Sequence, residues 1–174
     1  MATDLPEGFR PFVEALKAHI REAQVRAALA VNRTLLTLYW NIGGAVAERQ
    51  EAQGWGARVI DQLADEIQRA FPGVGGFSRT NIYRMRAFYL AYPAAEATEA
   101  IVPQAVGRFS EPLPAEVPDL PWGHLGVLLE RLKDASLRAW YARAAIEGGW
   151  SRAVLLAQID TRLHEREGAA ITNF

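Results

Sequence analysis

From Pro11 to about Glu51, Phe12, Leu16, Ile20, Ala23, Ala27, Val31, Leu35, Leu38, Ile42 and Val46 recur at intervals of three and four. That spacing is the period of an α-helix, and over roughly 40 residues it would run about 60 Å if unbroken. Such a helix outruns a small globule. Two outcomes are open beside an ordinary helical hairpin. Gly43-Gly44 breaks the helix, each Gly costing about 1 kcal/mol against Ala, or the stripe packs on a partner chain. The second outcome implies a homo-oligomer, most simply a dimer.

After Gln53-Gly54-Trp55-Gly56 the helical period resumes. From Ala57 to Phe71, Val59, Ile60, Leu63, Ala64, Ile67 and Phe71 share one face, so this segment is expected to lie on a core. Pro72-Gly73-Val74-Gly75-Gly76 ends it. Ser78 is then a good N-cap for a helix from Arg79 to Tyr92. On that helix Ile82, Met85, Tyr89 and Tyr92 share a face. Thr80, Tyr83, Arg84 and Ala87 lie opposite, flanked by Arg79, Asn81 and Arg86. Two helices joined by a Gly-rich turn, the second basic on its free side, make a helix-turn-helix candidate.

Residues 93–121 carry six prolines, and one basic residue against five acidic ones. That segment reads as a loose acidic connector, with a short ordered piece allowed between Ile101 and Phe109. Three helical patterns follow: Trp122 to Lys133, Ala135 to Glu147, and Arg152 to about Glu165 behind Ser151. No alternating strand pattern of useful length and no internal repeat is present. The expectation is an all-α chain in three parts: 1–92 with the long helix and helix-turn-helix, the connector 93–121, and a C-terminal three-helix segment, 122–174, packing on the same domain. Most of the five Trp are expected in the core.

The composition narrows the chemistry. There is no Cys, which excludes a thiolate nucleophile, a disulfide framework and a sulfur-ligated metal. The net charge of -1 is not that of a protein holding nucleic acid by bulk electrostatics, so any such contact depends on where the arginines sit. No signal-like start and no long apolar run occur, so a cytoplasmic protein is expected, nucleoid-associated if it binds DNA. The only lysines, Lys17 and Lys133, have Ala15 and Arg131 two residues before them, so no Glu-x-Lys element of a metal-dependent nuclease exists here. His19, His124 and His164 stand apart without the helical spacing of a zinc site. Gly73-Val74-Gly75-Gly76 has neither a preceding strand nor a following Lys-Ser, so helix exit is a better reading than a phosphate cradle. No catalytic residue, metal or cofactor is expected.

Several runs carry a family resemblance: Leu38-Tyr39-Trp40-Asn41-Ile42-Gly43, Gly54-Trp55-Gly56 with Ile60-Asp61-Gln62-Leu63, and above all Gly76-Phe77-Ser78-Arg79-Thr80-Asn81-Ile82-Tyr83-Arg84-Met85-Arg86-Ala87-Phe88-Tyr89. Pro121-Trp122-Gly123-His124-Leu125, Ala142-Arg143-Ala144-Ala145-Ile146 and Gly149-Trp150-Ser151 extend it from about Ala15 to Arg166. Together they resemble the N-terminal domain of the bacterial YhcG family. The resemblance implies a DNA-binding, winged-helix-like module that precedes a PD-(D/E)xK nuclease domain, often near restriction and defence genes. Pro-Trp-Gly-His replaces the Ser-Trp-Ser-His of many relatives, removing two hydroxyls beside Trp122. The chain stops at Phe174, where the nuclease domain would begin.

The expected function is a DNA-binding and assembly module without its own catalytic centre. Its partners would be double-stranded DNA, a second copy, and a nuclease domain in cis or in trans. The DNA-binding candidates are Ser78, Arg79, Thr80, Asn81, Tyr83, Arg84 and Arg86. The alternative is an oligomerisation and protein-interaction module with little DNA binding of its own.

Overall fold

A computed structural model describes residues 8–93 and 112–171, with side chains as far as Glu167. The described residues form helices and no strand. In chain order they are α1 (Phe9–Gln53), α2 (Ala57–Ala70), α3 (Arg79–Ala91), α4 (Trp122–Arg131), α5 (Ala135–Glu147), α6 (Arg152–Asp160) and α7 (Leu163–Ile171). The all-α expectation holds. The wing of a winged helix is not seen among the described residues.

α1 is a single helix of 45 residues, about 68 Å long. Gly43-Gly44 does not break it. A Cβ at Gly43 would lie 2.0 Å from the Met85 carbonyl oxygen, and one at Gly44 would lie 2.8 Å from the Tyr89 ring. The glycines are where α3 comes down onto α1, and only a residue without a side chain permits that approach. The helix tolerates their low propensity because the surrounding burial offsets it. Leu36, Tyr39, Trp40 and Val46 are buried there, and the Trp40 indole N–H donates to the Tyr92 carbonyl at 2.8 Å.

One core cluster joins α1 to α3, α4, α5 and α6 through Leu36, Trp40, Phe88, Leu125, Leu128, Tyr141 and Leu155. A smaller one joins α1, α2 and α3 through Val46, Ile60, Ala64 and Ile82, with Trp55 packed beside it. Trp122, Trp140 and Trp150 pack against the larger cluster, as expected of most of the tryptophans.

Two expectations need correcting. The connector is not loose throughout, since Leu113, Val117 and Leu120 are buried in the larger core. Asn32 donates to the Leu120 carbonyl at 3.0 Å, and Arg33 pairs with Asp119 at 2.9 Å. Prolines exclude a helix but not an apolar segment laid across one. The piece between Ile101 and Phe109 lies outside the described residues. The last helical pattern, read as one helix to Glu165, is two. Arg162 turns it at φ 51°, and the Tyr141 hydroxyl, 2.8 Å from His164 Nδ1, holds the start of α7 against α5.

Candidate nucleic-acid interface

The turn from Phe71 to Ser78 sets where α3 begins. Gly76 has φ +98°, a conformation that favours glycine, and a Cβ there would lie 2.3 Å from the Tyr39 hydroxyl. The Ser78 hydroxyl accepts from the Asn81 N–H at 3.3 Å, as its N-cap role requires. α3 then passes between α1, α2 and α4. This is more enclosed than a helix that projects from its domain to enter a groove.

That enclosure divides the seven candidates. Ser78 is spent on the cap. Asn81 is buried; its amide donates to the Gly76 carbonyl, and its Oδ1 accepts from the Trp122 indole at 2.8 Å and from Arg84 at 3.3 Å. Arg84 lies across Gly126, and its Nε donates to Glu130 at 3.0 Å while Nη2 meets the same carboxylate oxygen. These three side chains tie the turn and α4 to α3. At 100° per residue Asn81 and Arg84 fall to one side of Tyr83, and that side is where α4 sits.

The other four lie on the open side with Ala87 and Leu90. Arg79 and Thr80 are exposed, Tyr83 and Arg86 partly so. The Arg79 guanidinium pairs with Asp61 at 3.0 Å and lies 5.8 Å from the Tyr83 ring centre. Its side chain remains 54% exposed, and an ion pair so open to water contributes at most about 1 kcal/mol, little enough to be exchanged for a phosphate. Arg86 borders a shallow groove of about 470 Å³ with Ala47, Gln50, Glu51, Tyr83 and Leu90, and its Nε is buried without a hydrogen-bond partner among the described residues.

The wall that α1 supplies to this groove and the α4 residues that engage Asn81 and Arg84 were not visible in the sequence. Glu130 is 46 positions from Arg84 and Trp122 is 41 from Asn81, and no local spacing announces such pairs. No group of three or more His, Cys, Asp or Glu suited to a metal occurs among the described residues. No described helix is long and apolar enough to cross a membrane.

The described residues make an all-helical domain whose α3 carries both a cap-and-tie network and an open basic strip. Residues 15–166 match the family described as the DUF1016 N-terminal domain, and the chain belongs to that family. It is 24% identical over 184 residues, 91% of its own length, to a protein of Escherichia coli (strain K12) named "Putative nuclease YhcG". The chain spans 46% of that relative. The resemblance to the N-terminal domain of the YhcG family therefore holds. No solved structure matches.

Proposed function

We propose that this domain contacts DNA and assembles a nuclease whose catalytic centre lies outside the residues described here. The open side of α3 carries the reading. Arg79, Thr80, Tyr83 and Arg86 lie along one strip, and Ala87 leaves room for a backbone to come close. Arginine donates in a fork to phosphate or to guanine edges, Thr and Tyr hydroxyls donate singly, and a nearly neutral domain needs such placement because its net charge supplies no attraction. The α2, turn and α3 succession would then act as a helix-turn-helix, with α3 laid along DNA by its side. The name of the Escherichia coli relative supplies the nuclease context. A PD-(D/E)xK domain, in cis or in trans, would do the cutting, in the cytoplasm at the nucleoid.

A second reading is favoured by a separate observation, the exposed apolar side chains of the first half of α1, among them Phe12, Leu16 and Ile20. In it the domain chiefly joins protein chains as a homodimer, and DNA contact is secondary.

Titration of random and genomic duplexes at several salt concentrations separates the two. The variant with Arg79, Thr80 and Arg86 all changed to Ala is expected to bind at least tenfold more weakly, with a shallower salt dependence, while its helical content stays unchanged. Equal affinity of variant and wild type would transfer the function to the second reading. With magnesium or manganese the chain alone is expected to leave DNA intact. Cleavage abolished by changing a single carboxylate would overturn the non-catalytic part.

A further inference from the structure

The first half of α1 stands apart from both core clusters, and its apolar face has a regular form. Phe9, Val13, Leu16, Ile20, Ala23, Ala27, Ala30 and Thr34 follow one another at alternating steps of four and three. That is a period of 3.5, the seam of a coiled coil. Every one of these residues is exposed or half-exposed. At 100° per residue the seam lies about 180° from Leu36, the point where α1 enters the core, and among the described residues nothing buries it.

The seam is graded along its length. Its first four positions are large and its last four small. In a parallel, in-register pair each residue would meet its own copy, so four layers would be crowded and four hollow. One spacing between straight helices could not serve both ends. Reversing the partner removes the conflict. Phe9 then faces the partner's Thr34, Val13 the partner's Ala30, Leu16 the partner's Ala27, and Ile20 the partner's Ala23. Each layer has one large and one small side chain, which is how facing positions interdigitate at constant spacing.

The flanking positions agree. Lys17 would meet the partner's Gln24, Arg26 the partner's His19, and Arg10 the partner's Val31. No lysine or arginine faces another. Lys17 and Arg26 are already paired along their own helix with Glu14 and Glu22. We infer that two copies of this chain join by antiparallel pairing of residues 9–34 of α1. The paired stretch is about 39 Å long, and the two Trp40 would stand about 55 Å apart at its opposite ends. The inference gives the assembly part of the proposed function its geometry. Its test uses no DNA, so its failure and that of the α3 reading are distinguishable.

The absence of Cys makes the test clean, because any introduced cysteine is the only thiol. Sedimentation of the full chain at micromolar concentration is expected to show a dimer. An oxidised mixture of Val13→Cys and Ala30→Cys chains should cross-link between the two. Val13→Cys alone should not, since in the antiparallel pair its two copies lie about 26 Å apart, far beyond disulfide reach. Leu16→Glu with Ile20→Glu should raise the dimer dissociation constant at least a hundredfold. Both side chains are exposed in the single chain, so the core should be unaffected. A monomer at all concentrations, efficient cross-linking of Val13→Cys alone, or a dimer indifferent to the two glutamates would each overturn the inference.

Discussion

Residues 9–31 and 36–47 belong to one helix and both are rich in apolar side chains, yet Phe12 is 65% exposed and Trp40 only 1%. The difference lies in what each stretch offers a neighbour. Between 36 and 47 Gly43 and Gly44 let α3 come down onto the backbone, while Leu36 and Trp40 on the same face fill the space beside it, the Trp40 ring 4.9 Å from that of Tyr89. Between 9 and 31 no described element of the chain reaches the large residues. An apolar stripe therefore fixes that a face exists, and the sizes of the residues along it decide what can cover that face.

The sharpest way to break the comparison is to delete one large side chain from each half. Trp40→Ala is expected to cost about 3–5 kcal/mol, because it opens a cavity in the larger core and removes the donor to the Tyr92 carbonyl. Phe12→Ala should change the stability of the isolated chain by no more than about 0.5 kcal/mol. Chemical denaturation of the two variants under conditions where the chain is monomeric checks the contrast. Similar losses would mean that the first half is packed after all.

Gly43→Ala comes next. Elsewhere in a helix this change would add up to about 1 kcal/mol of propensity. Here the new methyl meets the Met85 carbonyl, so a net loss of about 1–3 kcal/mol is expected from forcing α1 and α3 apart. The reverse change on the exposed half, Ala28→Gly, should cost only the propensity. Unchanged or increased stability of Gly43→Ala in thermal melts would show that the two helices do not meet so closely.

A smaller effect divides the two sides of α3. Arg84→Ala should cost roughly 0.5–1 kcal/mol, since it unties α4 but its partner Glu130 is half-exposed. Arg79→Ala should cost less while weakening DNA binding more. If Arg84→Ala proves harmless to the fold and damaging to DNA binding, the assignment of scaffold and contact residues is reversed.

The least effect near neutrality concerns Tyr39, Tyr92 and Tyr141. Burial raises the pKa of each above 10, outweighing the lowering effect of the Arg138 charge on Tyr92. The folded chain thus keeps protons that the unfolded chain loses. The stability this supplies is complete below pH 10 and falls as pH rises beyond it. Denaturation midpoints should be level from pH 7 to about 9 and drop above 10, and a chain with Tyr92→Phe should drop less steeply. A steep fall before pH 9 would show that these phenols are not the titrating groups.

Much was legible locally. Apolar spacing gives the helices, Ser78 and Ser151 accept the backbone N–H groups that caps should accept, and the runs around Trp40 and Phe77-Ser78-Arg79-Thr80-Asn81 carry the family. All of these are properties of neighbours in sequence, where a helix's period and the chemistry of its first turn are set. The sequence could not assign Gly43-Gly44, because a helix breaker and a seat for another helix look alike until α3 is in place. Nor could it separate Asn81 and Arg84 from Arg79 and Arg86. Four polar residues within eight positions are equivalent on an isolated helix, and only the arrival of α4 from beyond the connector, bringing Trp122 and Glu130, holds one pair in ties and leaves the other on the open side of α3.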